Sequence, residues 1–113
     1  MRTLVPGICL MAVACTAGAA DHRVLIKDMA FSPSVVSVKP GDTITWVNQD
    51  IFVHNVSAAA AGVESGELKP GQSWRYKVGK GGDFDYLCTL HPTMKGRVEV
   101  RDALTPARRR STS

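Results

Sequence analysis

The segment CTLHPTM, residues 88–94, places a thiol, an imidazole and a thioether at intervals of three residues. All three side chains bind metals, and the proline within the segment restricts the backbone between them. Three such groups need a fourth ligand from elsewhere in the chain before they enclose an ion. The segment therefore raises the question of which distant residue lies beside it.

Three histidines in the chain are candidates for this chemistry, and one of them lies inside the segment itself. His22 is close to the expected start of the mature chain, so we expect it to be mobile and solvated. His54 lies in the apolar run IFVHNV, where an imidazole without a partner is costly to bury. We therefore take His54 as the residue that joins His91 and its neighbours.

The resulting set offers one thiolate, two imidazoles and one thioether, from Cys88, His54, His91 and Met94. A near-trigonal arrangement of a thiolate and two imidazoles, with a weak axial thioether, is the ligand set of blue-copper electron-transfer sites. A tetrahedral zinc site is the alternative, but a thioether is a poor zinc ligand and structural zinc sites favour paired cysteines. The set predicts one copper ion.

The first 20 residues have the layout of a secretory signal peptide. Arg2 precedes an apolar block, and small residues follow this block up to a cleavage site around Ala19 or Ala20. The block is too short to span a membrane as a helix, and no other segment is long enough. We therefore predict a periplasmic protein. The alternative is a lipoprotein signal with lipid on Cys15, although Ala12 stands where such signals usually carry a larger residue.

Export would change which cysteines the mature protein contains. Cys9 and Cys15 lie in the segment that would be removed, so the mature domain keeps Cys88 alone and has no disulfide framework. An unpaired thiol in an oxidising compartment is a liability unless a ligand occupies it. This favours a metal-bound Cys88.

The distribution of charge argues against nucleic acid as a partner. Residues 21–100 contain nine Lys or Arg and nine Asp or Glu, so the net charge of +4 comes from Arg2 and from the tail at residues 101–113. The domain thus lacks the basic face that nucleic-acid binding needs. We expect a disordered basic tail, and weak contact of arginines 108–110 with an anionic membrane surface is the alternative.

Short β-type runs separated by tight-turn signals make up the rest of the chain. The predicted strands are residues 23–28, 35–39, 43–48, 52–57, 72–78, 82–88 and 96–100. The alanine-rich segment 57–69 contains two glycines and no apolar stripe, so we expect a loop with at most one helical turn there. The pattern predicts an all-β protein, with a single small β-sandwich domain at residues 21–100.

At these residues the sequence resembles the cupredoxins, the type 1 blue-copper proteins. The similar segments are DTITWVN at 42–48, HNV at 54–56 and YLCTLHPTMKGRV at 86–98. Two residues in each gap of the Cys-His-Met pattern are typical of amicyanin. Plastocyanin and pseudoazurin are similar but have four residues in the second gap. The resemblance covers nearly the whole of the expected mature domain.

The resemblance implies a Greek-key β-sandwich of eight strands with one type 1 copper ion at one end. It implies that His54, Cys88, His91 and Met94 are the metal ligands. It also implies that Asn55 fixes the ligand loops by hydrogen bonds. His91 would lie near the surface, as the electron's entry and exit.

The predicted function is that of a monomeric electron carrier between redox proteins, such as a donor dehydrogenase and a c-type cytochrome. Leu90 and Thr93 depart from the usual amicyanin residues, which are a proline and a large aromatic or apolar residue. Methylamine dehydrogenase is therefore only one option for the partner. An apolar rim around Pro92 would give brief docking, and Lys95 and Arg97 would favour an acidic partner unless they are merely solvated.

Two other classes of function compete with this prediction. Copper nitrite reductases and multicopper oxidases relay electrons through histidines next to the cysteine, whereas Leu87 and Thr89 flank Cys88. We therefore predict that the protein is not an enzyme. The alternative is a copper chaperone or buffer, but such proteins often use exposed methionine clusters. Outside the signal this chain has only Met29 and Met94.

Overall fold

A computed structural model describes residues 18–101 of the chain. Most of the predicted signal peptide (1–20) and of the predicted tail (101–113) lies outside these residues. The described part contains nine strands and one 3-10 turn. In chain order they are β1 Asp21–Lys27, β2 Ala30–Ser32, β3 Val35–Val38, β4 Thr43–Asn48, β5 Ser57–Ala58, the 3-10 turn Ala59–Ala61, β6 Val63–Glu64, β7 Ser73–Lys77, β8 Phe84–Cys88 and β9 His91–Val100.

The strands form two sheets, and each sheet contains one parallel pair. The first sheet has the order β2-β1-β4-β7, with β1 parallel to β4, and the second has the order β3-β9-β8-β5-β6, with β3 parallel to β9. A parallel neighbour cannot be reached through a tight turn, so the chain crosses between the sheets before each parallel pair is completed. The predicted all-β sandwich is confirmed.

The core lies between the two sheets and follows the alternation of the strands. In β4 the side chains of Ile44, Trp46 and Asn48 are buried, while those between them are only half-buried. Tyr86 of β8 packs edge-on against Phe31 and Trp46, at centroid distances of 4.7 and 5.4 Å. These aromatic contacts join the two sheets at the centre of the sandwich.

Four of the sequence predictions for these elements need correction. The strand expected at residues 52–57 is wrong, because this segment is a loop that contributes one isolated bridge, between His54 and Leu68, before β5 begins. His54 is buried while Ile51 and Phe52 before it are exposed, and this segment does not pair along a neighbouring strand. The last strand begins at His91 rather than at residue 96, and β2 was not expected. In segment 57–69 the single 3-10 turn agrees with the prediction, but the short paired strands β5 and β6 were not expected there.

His22 is not the solvated residue expected from the sequence. It lies in β1, is half-buried, and its Nε2 is 2.8 Å from Oδ2 of Asp42. Asp42 itself is buried and also accepts hydrogen bonds from the backbone N–H groups of Ala20 and Lys39. This cluster lies where β1 and β4 begin, since Asp21 pairs with Thr43.

Candidate metal centre

The hairpin formed by β8 and β9 carries three of the four predicted ligands. Cys88 ends β8, residues 89 and 90 form the turn, and His91 begins β9, so that Cys88 and His91 are cross-strand partners. The register shifts between Leu87 and Cys88, which indicates a bulge. Bulges re-aim side chains where a strand meets a functional site. Here the irregularity lies directly beside the thiol.

His54 reaches the hairpin from a loop rather than from a strand. Its backbone exchanges two hydrogen bonds with Leu68, with N···O distances of 3.1 and 2.8 Å. The imidazole is fully buried, with Nδ1 3.8 Å from the sulfur of Cys88. The sequence prediction that His54 lies beside Cys88 agrees with this geometry, although the element that places it there differs.

The three donor atoms have the spacing that a single metal ion requires. Sγ of Cys88 lies 3.8 Å from Nδ1 of His54 and 3.7 Å from Nδ1 of His91, and all three donors lie within 4.8 Å of one another. Metal–nitrogen and metal–sulfur bonds of about 2.0–2.3 Å in a trigonal plane separate the donors by roughly 3.7 Å. The donor set therefore fits one ion at its centre.

Met94 is the remaining predicted ligand. It lies in β9 three residues after His91, and its side chain is buried in the same core cluster as Cys88. Its thioether is thus shielded from solvent, and Met94 stays a predicted ligand. Blue-copper sites combine a thiolate and two imidazoles with one weak thioether ligand, which is the role predicted for Met94.

Asn55 ties the loop of His54 to the ligand hairpin. Its side-chain amide donates to Oγ1 of Thr89 and its Oδ1 accepts the backbone N–H of Thr89, both at 2.8 Å. The backbone N–H of Asn55 also points at the sulfur of Cys88, at 3.4 Å. An N–H directed at the sulfur stabilises the thiolate. These are the hydrogen bonds that the family resemblance implies for Asn55.

Two residues that support His54 were not predicted from the sequence. Asn48 is fully buried, and its amide donates to the carbonyls of Phe52 and Leu68, both at 2.8 Å, so it holds the two segments that flank the imidazole. Asp50 accepts from Nε2 of His54 at 2.9 Å. A buried asparagine at an inward strand position and an acid four residues before a ligand were the available signals.

Asp50 is itself held in place by backbone donors. The backbone N–H of Met29 lowers the pKa of the Asp50 carboxyl from its usual value, burial opposes this, and the contact with His54 lowers the pKa further. The donor from Met29 belongs to the turn between β1 and β2, where Asp28 and Met29 both have positive φ, 53° and 57°. A turn in the first sheet thus helps to orient the imidazole through Asp50.

The surface beside His91 is apolar. His91 is half-buried, and its ring lies 6.4 Å from that of Phe52. Exposed side chains of Ile51, Phe52, Leu90 and Met29 occur on the loops next to the ligands, with exposed fractions of 79%, 49%, 46% and 40%. We call these four residues the apolar rim.

Comparison with known proteins agrees with this geometry. The family described as copper binding proteins, plastocyanin/azurin family, matches residues 19–101. Amicyanin-alpha of Methylorubrum extorquens is 36% identical over 89 residues, which cover 74% of this chain and 75% of that protein. The chloroplastic plastocyanin of Tetradesmus obliquus is 34% identical over 86 residues, which cover 65% of this chain and 59% of that protein. Amicyanin of Paracoccus versutus is 33% identical over 81 residues, which cover 66% of this chain and 61% of that protein.

Solved structures give the same result. A methionine-to-alanine mutant of amicyanin in its Cu(I) form has a TM-score of 0.66 at 35% identity, over 74% of this chain and 83% of that chain. A copper-containing nitrite reductase from Thermus scotoductus has a TM-score of 0.68 at 26% identity, but the match covers only 23% of that chain. The predicted Greek-key sandwich and the predicted copper cofactor are confirmed. This chain belongs to the copper-binding plastocyanin/azurin family, the cupredoxins.

Proposed function

We propose that this protein is a periplasmic electron carrier that uses one type 1 copper ion. The observation that carries the proposal is the convergence of Cys88 Sγ with the Nδ1 atoms of His54 and His91 in a chain of a copper-binding family. We assign these three residues as the groups that would bind the copper strongly, and Met94 as a weak fourth ligand. When bound, the copper supplies a one-electron couple.

The residues around the donors favour electron transfer by holding the ligands in one arrangement. Cys88 and His54 are fully buried, so water is excluded from the inner side of the centre. Asp50 orients His54, and Asn55 joins the His54 loop to the hairpin. Ligands fixed in this way change their positions little between the two oxidation states, and this keeps the reorganisation energy of electron transfer small.

The apolar rim supports docking through the His91 side of the molecule. His91 is the half-buried member of the donor set, whereas the other two donors are fully buried, so its imidazole edge is the shortest way in and out for the electron. The expectation that Arg97 serves an acidic partner is weakened, because it pairs with Asp83 and Asp85 at 3.2 and 2.9 Å. We propose a redox protein as the partner, either a dehydrogenase or a c-type cytochrome.

Catalysis and membrane insertion find no support in the described residues. Residues 18–101 hold one cluster of metal-binding side chains, and the neighbours of Cys88 are Leu87 and Thr89 rather than relay histidines. Within the same residues, no helix has the length and apolar character needed to cross a membrane. We propose a protein that is not an enzyme and that is exported by the signal at residues 1–20.

The test is a titration of the protein with Cu(II), followed by visible absorption and EPR. We expect an intense blue species with narrow copper hyperfine splitting at one equivalent, and its loss in Cys88→Ser. A pale complex would contradict the proposal and favour a copper chaperone or buffer. The rate of copper loss to a chelator separates these functions further, because a carrier retains its ion through many turnovers whereas a chaperone releases it.

A further inference from the structure

Ala20, just before β1, is attached to the sandwich through both of its backbone polar groups. Its N–H donates to Oδ1 of Asp42 at 2.9 Å, and its carbonyl accepts the N–H of Thr43, also at 2.9 Å. Residues 18–20 are all exposed, so it is these two hydrogen bonds rather than burial that attach Ala20. Ala20 therefore marks the point at which the chain joins the folded domain.

Asp42 is a buried carboxylate that lacks a permanent countercharge. Only 2% of its surface is exposed, and its contacts are the N–H groups of Ala20 and Lys39 and the imidazole of His22. Within residues 18–101, no lysine or arginine side chain forms an ion pair with it. A buried carboxylate is stabilised strongly by a positive charge on one of its hydrogen-bond donors. The nitrogen of Ala20 is the donor that can acquire such a charge by processing.

We propose that the export signal is cleaved between Ala19 and Ala20, and that the new α-ammonium group of Ala20 forms an ion pair with Asp42. The residues Ala17-Gly18-Ala19 fit the small-x-small pattern that precedes a cleavage site. Water adds its hydroxyl to the carbonyl of Ala19 and its hydrogen to the nitrogen of Ala20. The amine is mostly protonated at neutral pH, because its ordinary pKa is about 7.7–8.0. This proposal rests on the export included in the proposed function.

Processing at the other candidate positions would leave Asp42 with different hydrogen-bond donors or without the positive charge. Cleavage after Ala20 would remove the donor to Oδ1 and also the acceptor of the Thr43 N–H. Lipid attachment at Cys15 would leave an ordinary peptide N–H at Ala20, with no charge. The three possible N-termini therefore differ in charge and in hydrogen bonds at the same carboxylate.

The first experiment is expression of the full chain in a bacterial host, followed by intact mass and N-terminal sequencing of the exported protein. We expect Ala20 as the first residue. A mature chain that begins at Asp21, or a lipidated Cys15, would overturn the proposal. The blue absorption of the same sample tests the copper centre separately, so failure of the processing proposal is distinguishable from failure of electron transfer.

The second experiment measures the ion pair. Three forms of the protein, released from a fusion so that they begin at Ala19, Ala20 or Asp21, all keep the buried core, which begins at Val24. We expect the unfolding equilibrium constant at pH 7 to be about tenfold larger for the Ala19 form than for the Ala20 form, and larger again for the Asp21 form. Equal stability of the Ala19 and Ala20 forms would overturn the ion pair.

Asp42→Asn provides the matched control. In this variant the unfolding equilibrium constants of the Ala19 and Ala20 forms should differ by less than twofold, because the charged amine then has no carboxylate with which to form an ion pair. A tenfold difference that persists in Asp42→Asn would overturn the assignment of Asp42 as the partner. If this variant does not fold, the comparison of the three N-termini on the native Asp42 background still decides the proposal.

Discussion

The carboxylate of Asp50 lies 2.9 Å from Nε2 of the buried His54, and this contact leaves Nδ1 of the same ring directed at the sulfur of Cys88. Each ring nitrogen thus has one neighbour, the Asp50 carboxylate on one side and the Cys88 sulfur of the candidate metal centre on the other. A partner of this kind fixes the tautomer and the orientation of a ligating imidazole. The residue that places the ligand is therefore not itself a ligand.

Replacing Asp50 with alanine should weaken copper binding. We expect the affinity for copper to fall about 10–100-fold, because the imidazole loses the group that orients it. Competition with a chelator of known affinity measures this change. Glu67→Gln removes one negative charge from an exposed position and is the matched control. An unchanged affinity in Asp50→Ala would show that Asn48 and the loop backbone orient His54 unaided.

Gly96→Ala should destabilise the sandwich. Gly96 is opposite Tyr86 in the β8–β9 pair, and a methyl group there would overlap the tyrosine ring, which is fixed by Phe31 and Trp46. We expect a loss of about 1–3 kcal/mol in the free energy of unfolding, measured with denaturant. In Gly81→Ala the added methyl meets no atom within 4 Å, so this variant should unfold like the wild type. Equal stability of the two variants would contradict the close packing of the ring on Gly96.

Acid should weaken the end of the sandwich that contains Asp42. Burial raises the pKa of Asp42, but hydrogen bonds from Ala20, His22 and Lys39 outweigh it and hold the pKa at about 2, below the ordinary value of 3.8. A lowered carboxyl pKa contributes stability that is complete well above pH 4 and is lost as the pH falls towards 2. The stability advantage of wild type over Asp42→Asn should therefore shrink between about pH 5 and pH 2.

Denaturant midpoints of copper-free protein across this pH range measure the effect. Asp21→Asn is the control, because Asp21 is exposed and its contact with Arg75 is 4.0 Å long. This variant should follow the wild type at every pH. A constant difference between wild type and Asp42→Asn down to pH 2 would contradict the low pKa of Asp42.

A charge in the apolar rim should slow electron transfer to a protein partner without altering the copper centre. We expect Leu90→Lys to lower the rate with a c-type cytochrome about tenfold, which corresponds to about 1.4 kcal/mol, and to leave the visible spectrum unchanged. Val35 is exposed to a similar extent, 48% against 46%, but lies on β3 outside the rim, so Val35→Lys is the control. Equal rates for the two variants would exclude the rim as the docking surface.

The sequence predicted the convergence of His54, Cys88 and His91 better than the elements that carry these residues. Cys88, His91 and Met94 share one short segment, and their spacing alone indicates a hairpin. The β4 strand was predicted with its observed bounds, because its buried and half-buried side chains alternate without interruption. The segment around His54 misled the prediction, because β-type residues there face solvent instead of pairing. The roles of Asn48 and Asp42 depend on contacts with segments distant in sequence, which no local pattern encodes. Asp50 differs, because it lies only four residues before His54 and was therefore within reach of a local pattern.

The two parallel strand pairs determine where the ends of the domain lie. β1 and β4 begin together beside Asp42, while β9 begins at the ligand His91 and runs to Val100, opposite Val38. Both described termini therefore leave the sandwich at the end remote from the copper ligands. A linker, a lipid or an electrode attached at residue 18 or at residue 101 would lie at the end of the sandwich opposite His91. Immobilisation through either end is thus expected to preserve the redox-active face.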